Sequence, residues 1–400
     1  MRAAVRQILF GNTNPTLFEL ALKTSLVPEK ATGSGTPTFT RSSTATVMGY
    51  LEADNSDATQ KLLTIPSGIP RFEGARFIAS NNTWSGVFAD GAPIPDATLH
   101  GYLAEGARIN IAWPNRDLTH VNWVATTTTV ALTATGIDGV TNAASTLTAT
   151  GADSTVLQTV TLASSARVFQ PYIKRVTGTG AVSITTNNGT TWTDVTALIN
   201  SSTYTRVQFS QTVANPVFGF KLATSGDVIA VDYADNQGGT FASSPILTTT
   251  AAVTRAADVL SYPSAGNFIG TSGSVYAETV MQFSSSLSNT RGILGIGATP
   301  MIFYLNTSDK LFFYDGVNNV GNIAYEFGSV NKMSMSFSSH KVNIALNGTF
   351  NSGAFSGTIS GSIISIGTGQ SNTIFMFGTI RNIKIWKKAL KDAKLISLTT

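Results

Sequence analysis

Short runs in which every second residue is apolar dominate the middle and last thirds of the chain, and a period of two predicts half-buried β-strands. They fall at 156–162, 167–176, 182–186, 191–195, 204–211, 217–222 and 228–233, with turn clusters between them at the close spacing an antiparallel sandwich requires. The clearest hairpin spans 182–195. With Asn188-Gly189 as a type I′ turn, Thr185 falls opposite Trp192 and Ile184 opposite Thr193, and Val182, Ile184 and Val195 share the core face. Met301-Ile-Phe-Tyr-Leu305 and Leu311-Phe-Phe-Tyr314 flank Asn306-Thr-Ser-Asp309 and predict a hairpin apolar on both faces, covered on both sides or lying at a subunit contact. Val342, Ile344 and Leu346 alternate inward before a turn at Asn347-Gly348. Near the C-terminus Ile383 and Ile385 take one face of a strand, and Asn382 and Lys384 the other. From Lys387 the period becomes helical: Leu390, Ala393 and Ile396 recur on one side, with Lys388, Lys391, Asp392 and Lys394 on the other. A final strand followed by a short helix capping the sandwich edge is the expected close.

The first third reads differently. Pro15, behind Thr13 or Asn14 as a cap, predicts a short helix from Thr16 to Lys23, stopped by Pro28 and Gly33-Ser-Gly-Thr-Pro37. Such an arm has too little apolar surface for a core of its own, so it docks on another protein or folds back on its own chain. Residues 39–112 carry prolines at 66, 70, 93 and 95 and little regular alternation. The expected organisation is all-β: an arm at 1–45, an irregular linker with some β structure at 46–112, a jelly-roll or carbohydrate-binding-like sandwich at 113–255, and a second sandwich at 260–400.

Composition narrows the function. At 42% hydrophobic and only 12% charged, the 400-residue chain can build real cores beneath a polar, weakly charged surface. Cysteine is absent, which removes disulfides, thiolate metal sites and cysteine nucleophiles. The apolar run Ile8-Leu9-Phe10 is cut at Gly11, too early for a secretory signal or a membrane span. A net charge of +4 is spread thinly, without the dense basic stripe that nucleic-acid binding needs.

Candidate chemistry is sparse. The hairpin register turns Trp192 away from the core, beside Asp194 and Asn188, where an indole could stack on a sugar ring while amide and carboxylate bond its hydroxyls. The competing reading has Trp192 covering a neighbouring loop or subunit. Tyr304 and Tyr314 are weaker candidates for a lectin-like groove, with core or interface placement as the alternative. His100, His120 and His340 follow no metal-ligand spacing. Asp232 with Asp235, or Asp54 with Asp57, are neighbours in sequence without any sign of facing one cleft, as a glycosidase pair must. Asp309 and Asp315 lack a multi-carboxylate calcium loop. Neither a cofactor, nor a metal, nor catalysis is expected.

Two sets of fragments carry resemblances. The stretch 377–398 and Val342-Asn-Ile-Ala-Leu-Asn-Gly-Thr349 resemble the closing strands of concanavalin-like and laminin-G-like domains, over roughly the last third of the chain. Thr38-Phe-Thr-Arg-Ser-Ser-Thr-Ala-Thr46, Gly101-Tyr-Leu-Ala-Glu-Gly-Ala-Arg-Ile-Asn-Ile111 and Thr254-Arg-Ala-Ala-Asp-Val259 resemble, in the same order, fragments of virion proteins of tailed bacteriophages. That resemblance implies a tail fibre or comparable appendage, attached to other virion proteins through its N-terminal arm. It also implies a homotrimer and host-surface glycans as ligands, with no nucleic acid or membrane partner. A head fibre or capsid decoration protein is the first alternative, a polysaccharide depolymerase the second.

Overall fold

The computed structural model describes residues 16–28, 30, 32–284, 290–369 and 372–400, and the fold is all-β. Among the described residues every strand pairing is antiparallel, two isolated bridges excepted.

The larger sandwich is built from both ends of the chain. One sheet runs in the order Thr349–Ala354, Lys341–Leu346, Asn331–Ser338, Gly273–Val280, Gly378–Trp386, Gly101–Ala104 and Arg71–Glu73, and Thr16–Leu20 also pairs with Gly378–Trp386. The facing sheet orders Thr38–Thr40, Val259–Pro263, Ile363–Ile366, Arg291–Ile296, Met301–Leu305, Lys310–Tyr314 and Asn319–Ala324. Alternation does what it should here: Val342, Ile344, Leu346, Ile383 and Ile385 are all buried in the core between the sheets. Asn347 and Gly348 both take positive φ and close the hairpin with Leu346 opposite Thr349, as the turn residues predict.

Three expectations change. Residues Thr16–Leu20 form a strand, not a helix, with Phe18 opposite Ile385 and Leu20 opposite Ile383. An exposed sheet edge beside two buried isoleucines rewards burial of Phe18 and Leu20, and this tertiary gain outweighs a local helical preference. From residue 16 onward the N-terminal segment therefore folds back on its own chain; the first 15 residues of the expected arm lie outside the described residues. The stretch 46–112 is not a linker, because Val47, Phe72, Phe77, Trp84, Tyr102 and Ala104 belong to the same core as the C-terminal strands. Finally, the helix starts at Asp392 and buries Leu395 and Thr399, leaving Ala393 exposed and Leu390 outside the helix. It packs on the outer, polar face of the sheet. There the Ser334 hydroxyl donates to the Leu395 carbonyl at 3.1 Å and Asn343 to Asp392 at 2.8 Å, so polar partners rather than an apolar stripe set its rotation.

The smaller unit has its own core, with Trp123, Phe169, Phe218, Phe220, Ile184 and Val231 at its centre. One five-stranded sheet orders Trp123–Thr126, Ser154–Thr159, Val217–Leu222, Val182–Thr185 and Thr193–Asp194; the second orders Thr128–Ala134, Ala144–Ala149, Val228–Asp232, Tyr172–Thr177 and Thr205–Arg206. A third sheet, built from Phe209–Val213, Ser165–Phe169, Asn236–Gly238, Arg108–Asn110 and Val253–Arg255, lies where the chain enters and leaves this unit. The expected single strand at 167–176 is broken at Gln170-Pro171, because its two halves pair in different sheets. The same division separates 205–206 from 209–213.

Candidate functional site

The three fragments at 38–46, 101–111 and 254–259 meet in one place. Arg41, Glu105, Arg255 and Asp258 come from three distant parts of the chain, yet their side chains, with that of Arg71, form one buried ion network between the two units. Arg41 reaches Asp258 at 2.9 Å, Arg71 bridges Asp258 and Glu105, and Arg255 lies 2.9 Å from Glu105. Polar groups of the adjoining loops complete it. Ser244 donates to Glu105 from its hydroxyl at 2.5 Å and its backbone N–H at 2.8 Å, and Arg255 donates to the Gly106 carbonyl at 2.6 Å. Against burial, which alone would raise it, Arg255 and Arg71 hold the Glu105 carboxyl down at about 2. Its contribution to stability is thus complete above the ordinary carboxylate range and is lost only as pH falls towards 2.

A second buried cluster adjoins the first. Asp235 accepts from Asn110 at 3.0 Å, Asn115 at 2.5 Å, Gln237 at 2.8 Å and the Ile246 backbone N–H at 2.8 Å. Burial pushes its carboxyl up to about 7 against these donors. Between about pH 4 and pH 7 the folded chain holds a proton that the unfolded chain has already released, so stability falls as pH rises through that window. The thermal midpoint is expected to be higher at pH 5 than at pH 8, and Asp235→Asn, which cannot titrate, should shrink that difference; a midpoint with unchanged pH dependence in the variant contradicts this assignment.

Above the ion network opens a cleft of about 730 Å³, lined by Arg108, Phe241, Arg291, Phe375 and Phe377, with Thr290, Thr307 and Thr373 among the polar groups around it. The Arg108 guanidinium lies against two rings that meet edge-on at 5.1 Å, 4.6 Å from the centre of Phe241 and 4.7 Å from that of Phe377. Arg291 sits 4.3 Å from the same Phe241 ring. Two backbone features make room for this stack. Gly239 has φ +121°, and a Cβ there would overlap the Arg108 guanidinium; Phe377 adopts φ +56°, a left-handed conformation costly for a bulky residue, which carries its ring onto Arg108.

Among the described residues the cleft lining holds no carboxylate and no imidazole. It offers cations, aromatic faces, hydroxyls and backbone groups, which suit binding. Of the acids weighed from sequence, Asp309 stands near enough to the cleft to act on the charge of Arg291, and the others lie elsewhere. Asp232 is held by Arg116 at 2.7 Å, Asp235 is caged as above, Asp54 pairs with Lys61 at 2.8 Å, and Asp315 caps its own turn through the N–H groups of Val317 and Asn318. Among the described residues no group of three or more His, Asp or Glu side chains could hold a metal ion, and no helix is long and apolar enough to cross a membrane.

The other candidates are not brought together. Ile184 does pair with Thr193, and Asn188 and Gly189 both have positive φ, but regular pairing stops before Trp192. Its indole is half-buried, packed over Gly189 and 5.0 Å from the Lys221 ammonium, while Asp194 is turned to the Thr196 backbone N–H and hydroxyl. Trp192 and Asp194 are thus each taken up by local partners, so Trp192→Ala is expected to leave glycan retention unchanged and to remove about 1 kcal/mol of stability at most. Loss of retention in that variant would restore the hairpin as a site. Tyr304 is buried and donates to Asn319 at 2.5 Å, and half-buried Tyr314 donates to the Gly316 carbonyl at 2.8 Å, on the outer face of the second sheet. Arg108 and Phe377 were legible only as parts of fragments, and Phe241 and Arg291 carried no local signal.

No family model matches the chain, and no curated protein matches it. Solved structures give distant likenesses. Trypanosoma rangeli sialidase is similar at a TM-score of 0.30 and 13% identity over 56% of this chain and 33% of its own. A leech intramolecular trans-sialidase reaches 0.27 and 17% over 35% of this chain and 26% of its own. Domain 4 of a GH43 extracellular arabinanase from Geobacillus stearothermophilus reaches 0.30 and 14% over 40% of this chain and 82% of its own. The chain spans about a quarter to a third of the length of the sialidases it matches. At these TM-scores the likeness bears on neither site nor activity.

Proposed function

We propose that this protein is a structural, non-enzymatic component of a tailed-phage particle, a tail fibre or comparable appendage that binds host-surface glycans through the cleft between its two units. The observation that carries the reading is the meeting of the three phage-like fragments in the ion network directly beneath that cleft. Such a network ties the three fragments together where one unit meets the other, which gives them a shared structural purpose. The cleft supports adhesion because aromatic faces and unpaired donors are what a sugar ring and its oxygens use. Weak contacts of this kind gain strength when several copies are displayed together, which fits the homotrimer that the resemblance to phage fibres implies.

The test is location. Labelled antibody on purified particles of the encoding phage should mark the tail tip or a tail-borne appendage. Label on the capsid faces would replace the appendage by a decoration protein, and particles without the protein would overturn the reading.

A further inference from the structure

Resting on the cleft as a glycan site, we infer that its ligand is an anionic saccharide, whose carboxylate or phosphoryl oxygens are received beside Arg108 and Arg291. The charges around the cleft do not balance. Arg41, Arg71 and Arg255 each have a carboxylate partner within 3 Å, and they share two such partners, Glu105 and Asp258, between the three of them. Arg108 and Arg291 are also buried, and among the described residues neither forms a direct ion pair: Glu105 acts on Arg108 and Asp309 on Arg291 only from beyond salt-bridge distance, while Arg108 donates to the Gly238 carbonyl and Arg291 to the Phe283 carbonyl at 2.5 Å. Among the described residues the Nε and Nη2 of Arg291 find no acceptor. A guanidinium removed from water without an anion is costly, and two on one ring repel each other. Burial, and for Arg108 the neighbouring Arg255 and Arg291, lower both to about 10 against the weaker opposing pull of Glu105 on Arg108 and of Asp309 on Arg291, so both remain charged at neutral pH.

Alternative uses of this arrangement fail on its own features. A purely structural pair of arginines would carry its counter-charges as the network below it does. A neutral sugar would use the rings and hydroxyls but leave both cations uncompensated. An anionic one supplies the missing charge in a form that matches the planar fork of a guanidinium, while Phe375 and Phe377 offer apolar faces to the ring that bears it.

The experiment compares three immobilised polymers on the wild-type protein: polygalacturonate for carboxylate, a glycerol-phosphate polymer for phosphoryl, and dextran as the neutral control. Retention on at least one anionic polymer should exceed that on dextran by about tenfold, the worth of one or two charge-assisted hydrogen bonds. It should fall when the carboxylates of polygalacturonate are methyl-esterified, if that is the polymer retained. Arg108→Gln and Arg291→Gln, checked for an unchanged fold by circular dichroism, should lose the preference for charge. Equal retention on anionic and neutral polymers overturns this inference and leaves the glycan-binding reading standing; binding to dextran alone does the same. Absence of retention on all three, and on polysaccharide from the host, overturns both.

Discussion

Replacing Asp258 with asparagine is expected to lower the free energy of unfolding by about 3–5 kcal/mol, the cost of stranding a buried charge by removing its partner. The carboxylate takes Arg41 Nη1 at 2.9 Å on one oxygen, and Arg71 Nη2 with the Glu105 backbone N–H at 3.2 Å on the other. Both guanidiniums are wholly buried. Arg71 keeps Glu105 when Asp258 is neutralised, but Arg41 has no other carboxylate and must lie charged among backbone carbonyls. An asparagine also turns an N–H₂ towards groups that only donate. Urea unfolding of the variant beside Asp153→Asn makes the measurement specific. Asp153 is 72% exposed and 3.6 Å from Lys221, and its neutralisation should stay within the roughly 0.5 kcal/mol of an ordinary surface change. Equal small losses in the two variants would mean that the network is not the joint described here.

Phe18→Ala is expected to cost a comparable amount, about 3–5 kcal/mol, for a different reason. The Phe18 ring is fully buried, edge-on to Tyr262 of the facing sheet at 4.9 Å between centroids, and its strand sits beside Ile383 and Ile385. Deleting it leaves a hole that rigid sheets on both sides cannot close. A loss near zero, read by the same unfolding titration, would show that residues 16–20 detach freely, as an arm meant for another protein would.

How much of this was legible beforehand follows from which forces are local. Alternation and turn chemistry are properties of neighbouring residues, so the strand at 217–222, the Asn347-Gly348 turn and the inward set of Val342, Ile344 and Leu346 could be read directly. The fate of residues 16–20 could not. Their strand exists because Gly378–Trp386, some 360 residues away, offers an edge, and no local pattern encodes that partner. The stretch 46–112 misled for a related reason: its strands are only three to five residues long, and they gain order by joining a sheet built mostly from the other end of the chain. The Trp192 hairpin went astray in its last step. Its turn and first pair are as expected, but Thr185 turns its hydroxyl into the loop to receive the Gly189 N–H at 3.1 Å, so the ladder ends before Trp192.

The candidate site was legible only in outline. Fragments around Arg41, Glu105 and Arg255 stood out as fragments, without a physical role, since the reason for them is their mutual contact in three dimensions. Phe241, Arg291 and Phe377 come from separate loops and strands, and only the packing of the two units places all three around Arg108.

The central claim, adhesion without cleavage, is tested most directly by incubating the purified protein with surface polysaccharide from the host, then measuring in one sample both the polymer retained and the reducing ends released. The account predicts retention, with reducing ends no higher than in a protein-free control. Reducing ends that rise with time, or polymer that is not retained at all, would contradict it.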